Sequence, residues 1–330
     1  MLQLGNETPF TTTLTLFPDE HGVDTLYVVA VARFTFRGAA LRVADDQRPL
    51  RSADEFHGPP HTSSLRYPGE LHLRKPGTDI LVLGDAASAG RPVDVLDVGL
   101  RIGNHFGSIV DKHVRITGDR TWQPEGAVSR PTPFTRMPLI WERARGGPLP
   151  DGETIDPHNP VGTGHRDRLP NLEDPSRPMQ HRRDTPPPVG FGPIAPAWAP
   201  RRHHVGTYDD SWRTTRAPYL PADFDPRFFH TAPADQILTT PLRGGEPIEL
   251  RNFWPTPHLR THVPTCQLHA EAQVRGRSEQ IPLTLETLLI EPGEHRLELL
   301  WRGALPCDKR MVQVERIDIR VGHLDLGAAA

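Results

Sequence analysis

Residues 24–36 read DTLYVVAVARFTF and give the clearest indication of the fold class. The stretch is rich in Val, Tyr, Phe and Thr, the residue types that fit a pleated sheet surface. Successive side chains of a strand point to opposite faces, and here both faces are largely apolar. We therefore expect a strand that is covered on both sides and lies centrally in its sheet.

Strand patterns continue on both sides of this stretch. Leu96, Val98, Leu100 and Ile102 alternate with mostly polar or small residues, and residues 110–116 repeat this pattern after a glycine-containing segment at 103–107. Such a pair of runs predicts a β-hairpin with one face in the core and the other in water. Shorter runs predict further strands at residues 80–83, 247–250, 259–263 and 312–321.

A second hairpin is predicted around residues 291–294, which read EPGE. Pro at the second position and Gly at the third position of a turn favour a type II turn. The following Leu297, Leu299 and Trp301 alternate with charged residues, which is typical of a strand.

The middle of the chain is rich in both proline and tryptophan. Residues 131–260 contain 24 of the 37 prolines and four of the six tryptophans. Proline at this density excludes long helices and central strands, whereas a disordered linker is poor in aromatic residues. The composition therefore predicts a long, ordered, irregular region fixed by aromatic anchors. Only short helical turns are expected there, one capped by Asp225 and one capped by Asp209 or Thr207.

The sequence as a whole predicts a mainly β fold, with antiparallel sheets packed as a sandwich or open barrel. We expect one domain over residues 1–330, with a β region at 1–130, the proline- and aromatic-rich loop region at 131–245, and a second β region at 246–322. Residues 323–330 are expected to form a flexible tail.

Composition narrows the classes of partner. A net charge of −3 argues against general affinity for nucleic acid or for an anionic membrane. The two cysteines, Cys266 and Cys307, fit a reducing compartment, and neither a signal peptide nor a membrane-length apolar run is found. We expect a soluble cytoplasmic protein.

Two groups of residues suggest chemistry without establishing it. His258, His262, Cys266 and His269 all carry side chains that can bind zinc. On a strand, however, His258 and His262 would share an exposed face, so we assign no metal site and leave zinc binding open. Paired aspartates at 209–210 and at 223 and 225 could supply an acid and a base, but Asp more often caps turns. We assign no catalytic residues and no cofactor.

The loop region offers a better hypothesis, that of a binding surface. Its prolines, glycines and Asn or Asp residues are suited to holding a loop in one shape. A rigid loop loses less entropy on binding, and Trp, Tyr and Arg are frequent at the centres of interfaces. The alternative is that the loop only covers the sheets and that its aromatic residues fill space beneath it.

Eleven motifs occur here in the order in which one family has them. They are Asn6 with TPF (8–10), SLRYP (64–68), KPGTD (75–79), RMPL (136–139), ERA (142–144), NPVG (159–162), LPNLE (169–173), GFGP (190–193), GTYD (206–209) with Trp212, RFF (227–229) and LRGGE (242–246). On these motifs the chain resembles the domain of unknown function 2169 family from about Asn6 to about Trp301. One position departs from the family pattern, because Arg145 stands where an aromatic residue is expected before Gly146 and Gly147.

The resemblance implies a function in protein binding. Members look like adaptors or chaperones of the bacterial type VI secretion system, which help load an effector with a PAAR tip domain onto the spike. The implied partners are such an effector with its PAAR domain and, as a further candidate, the spike protein. No catalytic residues come with the resemblance, and we expect no enzymatic activity.

Twelve residues of the loop region are our candidates for partner binding, because they are polar or aromatic members of its motifs or their close neighbours. They are Asn159, Arg166, Asn171, Glu173, Phe191, Trp198, Arg201, Arg202, Tyr208, Asp209, Trp212 and Phe228. Asn159, Asn171 and Asp209 are also expected to fix the loop through bonds from side chain to backbone. The alternatives are a metal- or carboxylate-dependent hydrolase and a self-assembling structural protein.

Overall fold

The structure is a computed structural model that describes residues 2–37, 40–104 and 106–327. Strands make up 45 % of the chain and helical segments 9 %, which confirms the prediction of a mainly β fold. In chain order the strands are β1 (Gln3–Glu7), β2 (Thr11–Pro18), β3 (Asp24–Arg37), β4 (Ala40–Val43), β5 (Glu55–Phe56), β6 (Leu65–Tyr67), β7 (Thr78–Val82), β8 (Asp85–Ala87), β9 (Val95–Asn104), β10 (Gly107–Thr117), β11 (Arg136–Pro138), β12 (Arg145–Gly146), β13 (Thr163–Gly164), β14 (Leu172–Glu173), β15 (Ile237–Leu238), β16 (Pro247–Arg251), β17 (His258–His262), β18 (Thr265–Val274), β19 (Arg277–Ile281), β20 (Thr284–Glu291), β21 (Arg296–Pro306) and β22 (Val314–Asp325).

The helical segments are short. Two α-helices, α1 (Ala199–Arg202) and α2 (Asp210–Thr215), both lie in the proline-rich middle. Six 3-10 turns complete the set in the described residues, at Pro124–Gly126, Trp141–Arg143, Pro226–Phe229, Ala234–Gln236, Pro292–Glu294 and Asp308–Gln313. No helix in the described ranges is long and apolar enough to cross a membrane.

The largest sheet has seven strands in the order β15-β7-β20-β21-β3-β2, with β4 beside β2 on the same side of β3. β3 is hydrogen-bonded to β21 along one side and to β2 and β4 along the other. Its residues from Thr25 to Ala32 are all buried. The prediction of a central strand covered on both faces is therefore confirmed.

A five-stranded sheet, β14-β10-β9-β16-β17, packs against one face of the large sheet. Ala32 and Phe34 from β3 share a core cluster with Leu100 from β9 and Leu250 from β16. The predicted β9–β10 hairpin is confirmed, and its outer face carries exposed charges such as the Arg115–Asp97 ion pair at 2.8 Å. The packing of these two sheets gives the fold its sandwich character.

A four-stranded sheet, β1-β22-β18-β19, covers the remaining end of the same face. Ala270 and Ile317 from this sheet pack against Leu26 and Val28 of β3. β1 lies parallel to β22, with Gln3 opposite Arg316. The first and last described strands of the chain are thus neighbours.

The proline-rich middle is not a separate layer, because it contributes an edge strand to both large sheets. β14 pairs with β10 in the five-stranded sheet, and β15 pairs with β7 in the seven-stranded sheet. The segment between them consists of ordered turns and short helices, and it buries Phe191 and Trp198 in the main core. The predicted ordered loop region is therefore present in the structure.

Charged side chains are buried on the other face of the seven-stranded sheet, beside apolar residues such as Val31 and Leu300. Glu298 and Arg302 of β21 are 3 % and 0 % exposed. Arg302 donates to Glu286 Oε2 at 2.9 Å and to the Glu70 carbonyl at 2.7 Å, while Glu298 accepts from Arg48 at 2.8 Å. Glu298 and Arg302 are therefore buried in an ion-pair network, and the half-buried Arg296 pairs with Glu291 at 2.7 Å beside it.

The turn between β20 and β21 differs from the prediction. The hairpin exists, with Glu291 opposite Arg296, but its loop is a 3-10 turn over Pro292–Glu294. The left-handed position falls on His295, at φ 50°, whose N–H bonds to the Pro292 carbonyl. Gly293 serves a different purpose, because a β-carbon there would lie 3.1 Å from the Trp254 ring.

The predicted tail also starts later than expected. β22 continues to Asp325, beyond the predicted boundary at residue 323, because it is paired with β18 as far as Thr265 opposite Asp325. Residues 328–330 of the predicted tail lie outside the described residues.

Candidate functional site

Two buried asparagines fix the first part of the loop region. Asn159 is 0 % exposed, and its Nδ2 donates to the carbonyls of Trp141 and Arg145 at 2.8 and 3.0 Å. Asn171 Nδ2 donates to the Thr117 carbonyl at 2.9 Å, which ties the segment to the end of β10. The expected bonds from side chain to backbone are therefore present for both residues.

Aromatic rings anchor the same region from inside. Trp141 and Trp198 meet edge to face at 6.0 Å between ring centroids, and Phe191 meets Phe253 in the same way at 5.4 Å. All four side chains are buried in the main core. Trp141 lies so close to Gly190 that a β-carbon there would be 3.3 Å from its ring. For these residues the structure agrees with the covering role.

Arg145, the position that departs from the family pattern, is also buried. It forms an ion pair with the buried Asp156. Asp156 in turn accepts the His158 N–H at 2.8 Å, so the pair holds the backbone just before Asn159. A buried charge is tolerated at this position because a carboxylate from the same loop compensates for it.

Arg201 in α1 is a buried cation that faces carbonyl groups. Its Nε donates to the Phe228 carbonyl and its Nη1 to the Ile194 carbonyl, both at 3.0 Å. Its guanidinium also lies over the Phe228 ring at 5.1 Å. Burial lowers the pKa of Arg201 to about 10, so the side chain stays protonated at neutral pH.

The exposed part of the loop region is centred on α2. Asp209 caps this helix by accepting the Trp212 N–H at 2.8 Å, as expected. Tyr208 is 50 % exposed, and its ring meets that of Trp212 at 4.6 Å. Trp212 Nε1 donates to the Tyr219 carbonyl at 2.8 Å, which places a third aromatic residue, 42 % exposed, beside this pair.

A shallow apolar pocket of about 240 Å³ adjoins Tyr219. Phe17 from the end of β2, the 41 % exposed Leu71, and Leu220 and Phe229 from the loop region all line it. We call Tyr208, Trp212, Tyr219 and this pocket the aromatic surface.

The aromatic surface is held rigidly against the sheet. Arg216 donates to the Leu220 carbonyl at 2.9 Å and to the Glu20 carbonyl at 2.6 Å, which joins the loop region to the β2–β3 turn. The Tyr219 ring lies 3.2 Å from where a β-carbon of Gly22 would be. Because Gly22 also has a φ of 86°, glycine is required at this contact.

The twelve predicted binding residues fall into two groups. Six are buried: Asn159, Asn171, Glu173, Phe191, Trp198 and Arg201. Arg166, Arg202, Tyr208 and Asp209 are exposed, and Trp212 and Phe228 are half-buried. In this structure the buried six mainly support the shape of the loop region, because most of their polar atoms and rings are used inside the protein. Direct contact with a partner stays a prediction for them.

Five named members of the aromatic surface are absent from the twelve candidates: Phe17, Leu71, Tyr219, Leu220 and Phe229. Tyr219 could have been identified from the sequence, because it is an aromatic residue in a short segment bounded by Pro218 and Pro221, with Leu220 as the other apolar side chain between them. Phe17 and Leu71 gave no signal, because each lies far from the loop region in sequence and joins it only in the folded chain.

The histidine cluster is divided between two sheets. His258 and His262 lie on β17 of the five-stranded sheet, whereas Cys266 and His269 lie on β18 of the four-stranded sheet. His258 Nε2 lies 2.5 Å from Glu249 Oε1, and burial raises the pKa of the Cys266 thiol to about 12. Across the described ranges, no group of three or more His, Cys, Asp or Glu side chains is placed to hold a metal ion.

The aspartates considered for catalysis mostly cap turns. Asp223 accepts the Thr207 N–H at 2.9 Å and its hydroxyl at 2.7 Å. Asp225 accepts the Arg227 N–H at 2.9 Å, and the hydrogen bond from the Arg227 side chain contributes to lowering its pKa to about 2. For Asp209, Asp223 and Asp225 the interpretation that these carboxylates accept backbone N–H groups is therefore confirmed, whereas Asp210 pairs with Arg213 at 3.0 Å.

Comparison with known proteins gives a family but no relative of known function. No curated protein and no solved structure matches the chain. One family model, described as "Uncharacterized protein conserved in bacteria (DUF2169)", matches residues 21–302. This match covers most of the chain and all but the first of the eleven motifs, and we conclude that the chain belongs to the DUF2169 family.

Proposed function

We propose that this protein is an adaptor that binds a type VI secretion effector, through the effector's PAAR domain or N-terminal region, and promotes its loading onto the spike. Family membership makes the resemblance described above relevant, and the adaptor role is our extension of it. The observation that supports it best is the aromatic surface, where exposed aromatic rings sit on a backbone fixed by hydrogen bonds.

The physical argument concerns the cost of binding. Tyr and Trp bring large contact areas with few rotatable bonds, and residues of this kind dominate the energy of many interfaces. The bonds from Asp209, Trp212 and Arg216 already fix the backbone of this surface. A partner would therefore bind without having to order the loop, which favours affinity.

The decisive experiment is co-expression with a PAAR-containing effector encoded beside the gene of this protein. We expect the two proteins to co-elute and the effector to be less stable without its adaptor. A Tyr208→Ala variant should keep its stability within about 0.5 kcal/mol, as is usual for exposed positions. It should weaken capture about tenfold or more if Tyr208 lies at the centre of the interface.

Phe106→Ala provides the matched control, because Phe106 is 98 % exposed but lies in the β9–β10 hairpin, outside the aromatic surface. This variant should capture the effector normally. If the effector neither co-elutes nor loses stability without this protein, the adaptor proposal fails. If Phe106→Ala and Tyr208→Ala weaken capture equally, the aromatic surface is not the binding site.

Two measurements on the purified protein address the alternatives. Stoichiometric zinc that is lost on changing His258 or His262 would favour the metal-dependent hydrolase. Light scattering that shows a large, ordered oligomer without a partner would favour the self-assembling structural protein.

A further inference from the structure

A second pocket, of about 410 Å³, lies between α1 and the end of the loop region. Ile194, Ala232 and Ile237 form much of its apolar wall. Two arginines and two histidines also line it, and none of its lining residues is acidic. We call it the Arg201 pocket.

Three of the four basic residues already have carboxylate partners. His230 lies 2.6 Å from Asp79, His204 lies 3.3 Å from Asp225, and Arg227 forms an ion pair with Asp225 as well. Arg201 differs from them. Within the described chain it forms no ion pair, even though its side chain is buried, with 8 % exposed, and so is largely shielded from water.

The hydrogen bonds of Arg201 leave one side of its guanidinium available. Nε and Nη1 donate to the Phe228 and Ile194 carbonyls, and Nη2 has no hydrogen-bond partner among the described residues. A buried cation satisfied only by neutral carbonyls is incompletely compensated, and a carboxylate is the strongest partner for it. Burial lowers the pKa of Arg201 by more than the charges of Asp54 and Asp79 raise it, so these carboxylates compensate the buried cation only in part.

We propose that the Arg201 pocket binds a carboxylate group of a partner polypeptide, with the apolar group beside that carboxylate packed against Ile194, Ala232 and Ile237. Charge complementarity supports this occupant, because the pocket lining is basic and apolar and contains no acidic residue. The carboxylate is either a chain terminus or an Asp or Glu side chain. The inference rests on the proposed function only for the identity of the partner.

Short acetylated peptides are suitable probes, because they need no knowledge of the effector. The first ends in leucine with a free carboxylate, the second is the same peptide with a C-terminal amide, and the third is amidated but carries an internal Glu beside Leu. Binding to the full chain can be measured by ligand-observed NMR. We expect at least one carboxylate-bearing peptide to bind and the neutral peptide not to bind, and the peptide that binds identifies the source of the carboxylate.

The variants should act on the charge of the pocket without disturbing Arg201, whose bonds to carbonyls support the fold. Ala234 is exposed on the pocket wall at the start of a 3-10 turn. Ala234→Glu places a competing carboxylate there, and Ala234→Gln adds the same volume without charge. We expect Ala234→Glu to weaken peptide binding at least about tenfold, since a hydrogen bond to a charged group contributes that much or more. Ala234→Gln should retain most of the binding.

Three results would overturn the inference. They are absence of binding by both carboxylate peptides at millimolar concentration, equal binding of the neutral peptide, and equal loss of binding in the two Ala234 variants. The proposed function is tested separately. If the effector co-elutes normally with the Ala234→Glu variant, the adaptor role stands but the Arg201 pocket does not take part in it. If the peptides bind but no effector is captured, the pocket inference stands and the adaptor proposal fails.

Discussion

Replacing Trp198 with alanine is expected to destabilise the fold by about 3–5 kcal/mol, the range measured when a buried tryptophan or phenylalanine is truncated. Trp198 is only 5 % exposed and lies in the main core. Its ring meets Trp141 edge to face at 6.0 Å, a contact that adds about 1 kcal/mol to the effect of burial. Trp141 also donates to the Pro193 carbonyl at 3.0 Å, so the cavity would loosen the segment beside it.

Urea denaturation followed by far-UV circular dichroism measures this change directly. A loss of this size removes a large part of the stability of a typical domain, about 5–15 kcal/mol, so the midpoint should fall markedly. Trp198→Phe retains part of the ring and should lie between the alanine variant and the unmodified protein. Tyr208→Ala, at a 50 % exposed position, should leave the midpoint almost unchanged.

The opposite result would refute the reasoning. If Trp198→Ala cost less than about 1 kcal/mol, well below the range for a buried aromatic residue, the side chain would not act as a core anchor. If such a stable variant also failed to capture the effector, Trp198 would contact the partner directly, as the sequence alone predicted.

Two further predictions concern the charged network beneath the seven-stranded sheet. Arg302→Met should lower the free energy of unfolding by about 3–5 kcal/mol, because it leaves Glu286 buried without its cation. Adding Glu286→Leu should restore part of this stability, which a double-mutant cycle measured by urea denaturation can show. An equal or larger loss of stability in the double variant would contradict the prediction. Burial opposes ionisation of Glu298, but hydrogen bonds and charges from Arg48 and its neighbours outweigh burial and lower the pKa from 4.5 to about 2. A carboxyl with a depressed pKa stabilises the fold above its unfolded pKa, so this contribution should disappear as the pH falls from about 4.5 to 2. Unfolding titrations at a series of pH values should show that the stability of Glu298→Gln falls less at acid pH than that of the unmodified protein. The same fall in stability for both proteins would be evidence against this role of Glu298.

The strands were predictable because their signal is local. Alternation in β9 and β10, and the doubly apolar β3, are visible within about ten residues and match the observed pairing. The capping roles of Asp209 and Asp225 were equally local. The predicted turn type after Glu291 was wrong, because glycine at position 293 makes room for the Trp254 ring, which is distant in sequence, and does not mark a left-handed backbone conformation.

Burial of the candidate binding residues could not be predicted for a related reason. A tryptophan among prolines looks the same in sequence whether it faces a core or a partner, and Trp198 and Trp212 differ only in what the folded chain places around them. The charged network was even harder to predict, because its members lie far apart in the sequence. Glu298 bonds to Arg33 and Arg48, which are 265 and 250 positions away, so nothing near Glu298 in sequence indicates its partners.

The parallel pairing of β1 with β22 has a consequence for the order of events during biosynthesis. Gln3 lies opposite Arg316, so β1 must wait for 316 − 3 = 313 further residues to be made before its neighbour exists. At typical translation speeds this delay is roughly 15–60 s, far longer than the formation of a hairpin. During that interval the nascent four-stranded sheet is incomplete and β1 remains available for non-native pairing. Folding of this sheet therefore has to wait until β22 has been made, and a ribosome that stalls before residue 316 would release a chain unable to complete it.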